Sequence, residues 1–309
     1  MMNDKVKTMN VSVKFDSVSG KFVGSLNGKV VVRSVGKAYV ERRLEEMAGS
    51  KLDFVTAEKK TEERAEKFGI NARFGFVEKL VSMVADSVQP SAVITGEGGL
   101  GKTYTVTKTL EANGYKDISD LAEFQVGSVL NARKCFTTVK GYSTAKGLYR
   151  TLFENNKSVI VFDDCDAILK DPVALNILKS ALDSYGKRII SWNADMRDED
   201  LPRSFNFEGR VIFISNMTQD KIDQAIRSRS MMIDLSMTSD QKIDRMEYIA
   251  KSEEFMPEYD EKVKTDALEL IRELRNEAKE ISLRTLIAVS KIRASNKDWK
   301  DLATYMLTA

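Results

Sequence analysis

The sequence predicts an α/β protein: a parallel sheet covered by helices on both faces, followed by an all-α lid and preceded by a small β-β-β-α appendage. Short apolar runs alternate with helical apolar spacing over residues 74–237, a pattern typical of parallel sheets. Strand signals end at Thr238, after which four helical segments follow. The predicted division of the 309 residues is an appendage (1–50), a charged linker (51–72), a large α/β domain (73–237) and a helical lid domain (238–309).

The appendage is predicted from residue alternation and turn chemistry. Apolar and polar residues alternate from Val11 to Phe15, as in a half-buried strand. The Asn27-Gly28 pair separates two further apolar runs and is a strong hairpin signal, and helical spacing follows. Residues 1–50 carry nine Lys or Arg and five Asp or Glu without interleaved aromatic residues, which favours an ordinary solvated face over a docking module for nucleic acid or an acidic partner.

The elements of the large domain and the lid follow from apolar spacing and capping residues. Helical spacing begins at Phe74 and ends before Pro90. Thr238 and Gln241 form a capping-box pair at the start of the lid. Four apolar runs predict buried strands, at residues 92–94, 135–139, 159–162 and 211–214. The lid helices are predicted at residues 239–254, 259–279, 282–295 and 297–307.

Composition excludes several kinds of chemistry and location. The formal net charge is only +2, so no global field directs the protein to nucleic acid or to a membrane. The absence of histidine removes Ser-His and Cys-His nucleophiles, and Cys135 and Cys165 alone make a structural zinc site implausible. A protein with only two cysteines fits the reducing environment of the cytoplasm. For a protein encoded by a virus, this would be the cytoplasm of the host. Neither a signal-peptide core nor an apolar stretch of membrane-spanning length is found, so we expect no membrane partner.

The most specific motif lies between a predicted strand and a predicted helix. Residues 96–103 match G-x-x-x-x-G-K-[ST] without interruption, and strand, glycine loop and helix are the context of a P-loop NTPase. Its glycines let backbone N–H groups surround a phosphate chain at the start of a helix. Lys102 is expected to reach the β- and γ-phosphates, and Thr103 to bind Mg²⁺. The predicted nucleotide-binding residues here are Gly96, Glu97, Gly98, Gly99, Leu100, Gly101, Lys102, Thr103 and Tyr104.

A second signal is a pair of acids at the end of an apolar strand. Residues 159–162 are Val-Ile-Val-Phe, and Asp163 and Asp164 follow directly. At the carboxyl end of a parallel strand, beside a phosphate loop, Mg²⁺ needs a hard oxygen ligand. We expect Asp163, with Thr103, to bind Mg²⁺, and Asp164 to polarise a water for in-line attack on the γ-phosphate.

In these motifs the chain resembles the AAA+ ATPases, from about Phe74 to Ala309. Residues 162–168 are similar to the Walker B stretch of that family, and residues 211–216 to the strand that ends in the sensor 1 asparagine. Residues 223–230 resemble the segment carrying the arginine finger, and residues 282–286 the start of the sensor 2 helix. The overall pattern is also similar to that of AAA+ proteins encoded by tailed phages.

The resemblance implies roles for four residues. Asn216 would hold the attacking water with its amide. Arg229 would enter the nucleotide site of the next subunit as an arginine finger, with Arg227 as the alternative. Arg284 would emerge toward the cleft between lid and sheet and contact the nucleotide. The chain departs from the family at Asp164, where the family commonly has a catalytic glutamate. With the shorter aspartate, either the site closes more tightly around the water, or hydrolysis is slow and the protein acts as a switch.

Two segments bear on the substrate. In AAA+ remodelling factors, the loop after the second sheet strand lines a central pore; Lys140 and Tyr142 are the pore-loop candidates here, and packing at the strand end is the alternative for Tyr142. Residues 188–192 and 204–207 could pair as a hairpin similar to the pre-sensor 1 hairpin of a branch that contains protein unfoldases and DNA helicases. The acidic residues 195–200 between them disfavour phosphate contact and favour a protein substrate.

The predicted function is Mg²⁺-dependent ATP hydrolysis by a homo-oligomeric ring, a hexamer, whose subunit-shared sites drive remodelling or threading of a macromolecule. ATP follows from the resemblance; no motif marks the base pocket, which is expected near residues 70–74. One alternative is a nucleotide-gated loader or switch on DNA. A more remote one is a monomeric P-loop kinase or GTPase, and the lack of a guanine-reading Asn-Lys-x-Asp at a strand end counts against the GTPase.

Overall fold

The structure is a computed structural model that describes residues 11–16, 21–26, 29–35, 37–48, 67–120, 134–141, 143–193 and 201–309. The chain divides into two compact units, Met1–Phe68 and Gly69–Ala309. This division falls inside the segment predicted to be a linker, residues 51–72. The boundary predicted between large domain and lid, after residue 237, lies within the second unit and stays a prediction.

In the residues that the structure describes, the first unit contains three antiparallel strands in the order β1-β2-β3 and one helix. Val40 and Leu44 of the helix are fully buried. Gly24 provides the space for them, because a Cβ at that position would lie 2.7 Å from Val40 and 2.9 Å from Leu44. The predicted β-β-β-α order is confirmed, while the Asn27-Gly28 pair lies outside the described residues. The elements are β1 Val11–Asp16, β2 Lys21–Leu26, β3 Lys29–Ser34 and α1 Lys37–Ala48.

The second unit is built on a six-stranded parallel sheet with the order β11-β4-β10-β7-β6-β5. Four of its strands, β4, β6, β7 and β10, correspond to the predicted apolar runs. The sequence does not predict β5, which has two residues, or β11, whose residues are partly exposed. The strands are β4 Ser91–Thr95, β5 Lys116–Asp117, β6 Cys135–Lys140, β7 Val159–Asp163, β10 Arg210–Ser215 and β11 Met231–Asp234.

Helices cover both faces of this sheet, as predicted. Side chains alternate across β4: Ala92 and Ile94 join the core with α2 and α3, whereas Val93 joins the core with α4 and α5. Phe162 and Phe213, on neighbouring strands, stack with ring centroids 5.5 Å apart. The helices are α2 Ile70–Ala85, α3 Lys102–Ala112, α4 Ala145–Glu154, α5 Pro172–Ala181 and α6 Gln224–Arg227.

Four more helices follow the sheet and share a hydrophobic core of their own, which confirms the all-α lid. Thr238 and Gln241 form the predicted capping box at its start. The first two lid helices are shorter than the sequence predicts. The four are α7 Ser239–Ala250, α8 Glu261–Glu273, α9 Leu283–Ser295 and α10 Trp299–Thr308.

Helix α2 begins at Ile70, four residues before the predicted start at Phe74. Ile70 is buried, but the polar and charged residues that follow it hide the helical spacing. Arg73 is buried as well, because its guanidinium donates to the carbonyl oxygens of Asp234 and Ser236 at 3.2 and 2.8 Å. A buried charge needs such partners, and the sequence alone does not reveal them.

The hairpin predicted before β10 is present. Strands β8 Ile189–Ser191 and β9 Ser204–Asn206 pair antiparallel. Phe205 packs edge-on against Tyr149 of α4, with ring centroids 5.2 Å apart, so the hairpin is anchored to the helix layer. The acidic residues 195–200 lie outside the described residues.

Gly209 joins this hairpin to β10 at a crowded position. A Cβ there would lie 2.7 Å from the Phe207 ring and 2.8 Å from the carbonyl oxygen of Ser158. Gly209→Ala should therefore lower the free energy of unfolding by about 1–3 kcal/mol, since ring and backbone must shift. Urea unfolding measures the change. The adjacent exposed-site variant Glu208→Ala should stay within about 0.5 kcal/mol of wild type; equal effects of the two variants would contradict the crowding.

Candidate nucleotide-binding site

The glycine loop follows β4 at the carboxyl end of the sheet and leads into α3. Gly96, Gly99 and Gly101 have φ angles of 138°, 75° and 92°, which glycine adopts without the strain of a side chain. A Cβ on Gly96 would also lie 2.9 Å from the carbonyl carbon of Leu235. The loop therefore requires these glycines, and its backbone N–H groups and the start of α3 together form a turn suited to an anion.

Lys102 is the buried cation at the centre of the site. It is only 6% exposed. Its Nζ donates to the carbonyl oxygens of Gly96 and Glu97 at 2.7 and 2.6 Å, and to Asn216 Oδ1 at 3.0 Å. Burial lowers the pKa of Lys102, and the surrounding carboxylates oppose that shift. The ammonium is thus held beside the loop by exchangeable oxygen acceptors.

Thr103 and Asp163 meet at the end of β7. Thr103 Oγ1 donates to the two carboxylate oxygens of Asp163 at 3.1 and 3.0 Å. Hard oxygens in this arrangement fit Mg²⁺, which binds through one or two protein oxygens and takes its other ligands from phosphates and water. Lys140, at the end of the adjacent β6, places its Nζ 3.7 Å from Asp163 Oδ2.

The structure therefore brings Lys140 next to the proposed metal ligand. Tyr142, its predicted partner in a pore loop, lies outside the described residues. The pore-loop roles of both residues stay predictions.

Asn216 connects the loop to the acids, because β10 lies between β4 and β7 in the sheet. Its Nδ2 donates to Asp164 Oδ1 at 2.7 Å. Asp164 has a φ of 56°, and its N–H donates to the carbonyl oxygen of Ile214 at 3.0 Å. Partial burial and the neighbouring Asp163 raise the pKa of Asp164, while Lys102 opposes the shift. A carboxylate whose pKa is raised beside a polar amide is suited to accept a proton.

Residues of the lid close over the glycine loop. Lys242 of α7 forms an ion pair with Glu97, and the N–H of Leu283 donates to the carbonyl oxygen of Gly99 at 2.8 Å. The Arg284 side chain lies 3.9 Å from the position that a Cβ on Gly99 would take. Arg284 therefore lies at the cleft between lid and loop, together with the other predicted nucleotide-binding residues.

Arg229 and Arg227 lie at the opposite end of the sheet. The carbonyl oxygen of Arg229 accepts a hydrogen bond from Ser91 Oγ at 3.2 Å; Ser91 is the first residue of β4, whereas the glycine loop follows the last. At about 3.3 Å per residue, the length of β4 separates Ser91 from the start of the glycine loop by about 16 Å. Arg229 is half-buried, with Nη1 donating to the Ala225 carbonyl at 3.1 Å, and Arg227 is exposed. Within one chain, neither arginine joins the loop.

A cavity of about 740 Å³ opens beside the loop, between α2, α3 and α7. Gly101 lines one end, with Tyr104 nearby; Asn71 and Phe74 line one wall and Arg245 another. The cavity therefore includes the segment where the sequence leads us to expect the base. The sequence does not single out Arg245, because an arginine on an amphipathic helix resembles an ordinary solvated charge.

Three comparisons with known proteins give matches to a family model, to a phage protein and to solved structures. Residues 92–237 match the model of the ATPase family associated with various cellular activities (AAA). An uncharacterised 36.7 kDa protein from the nrdC-mobD intergenic region of Enterobacteria phage T4 is 27% identical over 257 residues, covering 77% of this chain and 74% of that protein. Two solved variants of RuvB from Thermotoga maritima overlap with TM-scores of 0.47 and 0.48 at 12% and 13% identity, covering 77% and 78% of this chain and 72% and 71% of theirs.

The parallel sheet, the glycine loop and the buried Lys102 define a P-loop nucleotide-binding protein. Residues 92–237 match the AAA family model, and this match together with the fold supports an AAA+ ATPase. Within the parts of the chain that the structure describes, no helix combines the length and apolar character needed to cross a bilayer.

Proposed function

We propose that the protein hydrolyses ATP with Mg²⁺ at this site, as a subunit of a homo-oligomeric ring that remodels or threads a macromolecule. The observation that carries the proposal is the hydrogen-bonded series from Lys102 through Asn216 to Asp164, with Thr103 and Asp163 beside it. It combines a cation for phosphate, oxygen ligands for a metal and a carboxylate for water in one cluster. The match of residues 92–237 to the AAA family model supports ATP as the nucleotide.

The loop and Lys102 bind the triphosphate. The ammonium exchanges its carbonyl acceptors in the loop for phosphate oxygens, and charge-assisted hydrogen bonds of this kind are stronger than neutral ones. Mg²⁺, when bound, would neutralise phosphate charge, with Thr103 and Asp163 as its protein ligands. Arg284 adds a second cation from the lid side.

Asp164 and Asn216 position the attacking water. The amide of Asn216 fixes the orientation of the carboxylate, and the two groups together can hold a water in line with the γ-phosphate. Asp164 accepts the proton that the water loses, and its raised pKa brings it nearer to the working pH, which favours proton transfer. Because aspartate is one methylene shorter than glutamate, the water must approach the strand more closely.

A second subunit completes the site. Arg229, with Arg227 as the alternative, would stabilise the charge that develops on the transferred phosphoryl group of the neighbouring subunit. Support comes from the position of Arg229 beside Ser91, too far from the loop of its own chain. A head-to-tail contact of this kind generates a ring when the rotation closes, and the family resemblance favours a hexamer.

A protein is the favoured substrate. The acidic residues 195–200, between β8 and β9, disfavour contact with phosphates. A DNA-associated loader or switch is the alternative, because Asp164 in place of glutamate is compatible with slow hydrolysis. A monomeric P-loop kinase or GTPase is the more remote alternative. The similarity to a phage T4 protein supports a phage-encoded ATPase that works in the host cytoplasm.

Asp164→Asn should retain ATP binding and lose about 10²–10⁴-fold in turnover, because an amide cannot accept the proton of the water. Calorimetry measures the binding and phosphate release measures the turnover. Asp220→Asn, at an exposed site on the turn Gln219–Lys221, is the control and should keep wild-type turnover. Unchanged turnover in Asp164→Asn would remove this carboxylate from the mechanism.

Mixing two inactive variants tests the shared site. Arg229→Ala subunits keep the metal ligand Asp163, and Asp163→Ala subunits keep the arginine finger Arg229. In a mixed ring, an interface is therefore intact where a site with Asp163 meets a neighbour with Arg229. An equimolar mixture should recover up to about a quarter of wild-type hydrolysis, the share of intact head-to-tail interfaces. Lys221→Ala, at an exposed site on the turn Gln219–Lys221, is the control and should remain active alone. No recovery in a mixture that does assemble would exclude Arg229 as a residue acting in trans.

A further inference from the structure

Glu97 places a negative charge in the glycine loop, the triphosphate site of the proposed ATPase, on which this inference rests. Its main-chain oxygen accepts a hydrogen bond from Lys102 Nζ at 2.6 Å, whereas its side chain extends toward the lid and is 58% exposed. A carboxylate in this loop repels a polyphosphate, because like charges close together destabilise one another. Binding of a polyanion is therefore favoured when a cation offsets Glu97.

The charge of Glu97 acts on the same ammonium that the phosphates would contact. Burial lowers the pKa of Lys102, and four carboxylates, Glu97 among them, oppose that shift. The other three are Asp163, Asp164 and Asp166, and each accepts a hydrogen bond from a neighbouring side chain. Because negative charge already surrounds Lys102, the affinity for a polyphosphate depends on how well each carboxylate is compensated.

Lys242 of α7 supplies the cation for Glu97. Its ammonium forms an ion pair with the Glu97 carboxylate, and the lysine side chain is only 16% exposed. Ion pairs with an exposed partner contribute little to the stability of a fold. These two charges, however, lie beside a site for a polyanion, where removing either one changes the charge that the ligand meets.

The first turn of α7 holds Lys242 in place. Thr238 and Gln241 form the capping box there, and Nη2 of Arg73, from α2, donates to Gln241 Oε1 at 2.9 Å. The N–H of Lys242 donates to the carbonyl oxygen of Thr238, also at 2.9 Å. The backbone of Lys242 is thus fixed, and pairing with Glu97 restricts only the lysine side chain.

We propose that Lys242 is a positioning residue for nucleotide binding, which neutralises Glu97 and so keeps the glycine loop receptive to the phosphates. Lys242 acts through Glu97 rather than on the nucleotide, since its ammonium is already paired. Because Lys242 belongs to the lid, the carboxylate is neutralised only while α7 is docked on the loop. Triphosphate binding therefore favours the docked lid, because a ligand stabilises the state to which it binds more tightly.

The test removes the two charges separately and together. Calorimetry measures the affinity for ATP with Mg²⁺ of the full chain as wild type, as Lys242→Met, as Glu97→Gln and with both changes. Lys242→Met should bind ATP about tenfold more weakly, because Glu97 then acts unopposed on the phosphates. Glu97→Gln should bind ATP about threefold more tightly than wild type, since the lysine charge is left in excess. With both changes, the affinity should return to within about threefold of wild type.

Salt and a second ion pair of the lid provide the controls. Raising the ionic strength from about 0.1 to 1 M shortens the Debye length from about 10 to 3 Å, so the loss in Lys242→Met should shrink to about threefold or less. Arg272→Met, which breaks an exposed ion pair with Glu247, should bind ATP as wild type does. A lysine that only packs the lid would give a loss that neither salt nor Glu97→Gln relieves.

Equal ATP affinity of wild type and Lys242→Met would overturn the role of Lys242. A loss that Glu97→Gln does not relieve would overturn it as well, because Lys242 would then contact the nucleotide itself or only support the lid. Should Lys242→Met fail to fold by circular dichroism, Lys242→Gln replaces it with the same expectations. A wild-type protein that binds no ATP refutes the ATPase function itself, whereas ATP binding without coupling between the two positions refutes only the role of Lys242.

Discussion

The buried ammonium of Lys102 is the group on which the rest of the site depends. Its hydrogen bonds join the glycine loop to Asn216, and Asn216 in turn bonds to Asp164. Burying such a charge is unfavourable unless acceptors surround it, and the carbonyl oxygens of Gly96 and Glu97 fulfil that condition. Phosphate oxygens can replace these acceptors without leaving the charge unpaired, so one interaction serves both the stability of the fold and the binding of the ligand.

The order of the strands explains why these residues meet and why the sequence could predict them. β10 lies between β4 and β7, so the loop, Asn216 and Asp163 share the carboxyl edge of the sheet, where ligands bind in open α/β folds. Asp163 directly follows an apolar run, and Gly96 and Asn216 each follow one after a single polar residue, so these positions are visible in the sequence. The parallel sheet and the helical lid were predictable because the apolar residues of their strands and helices recur at regular spacing along the sequence.

What the sequence could not show depends on contacts between residues far apart in the chain. Arg73 is buried because carbonyl oxygens of Asp234 and Ser236 accept from it, and no local pattern encodes such partners. The position of Arg245 over Phe74 requires the lid to pack on α2. Strand β11 is short and partly exposed, and it is recognised only by its pairing with β4. These features arise from tertiary packing, which overrides local patterns.

Nucleotide binding to Lys102→Met tests the central claim most directly. Calorimetry with a non-hydrolysable ATP analogue and Mg²⁺ should show affinity lower than that of wild type by about a hundredfold or more, because a preorganised cation in a sheltered site is lost. Lys170→Met, at an exposed position before α5, should bind as wild type does. If Lys102→Met binds the analogue as tightly as the wild-type protein, the buried ammonium is not the phosphate-binding group, and the claim is wrong.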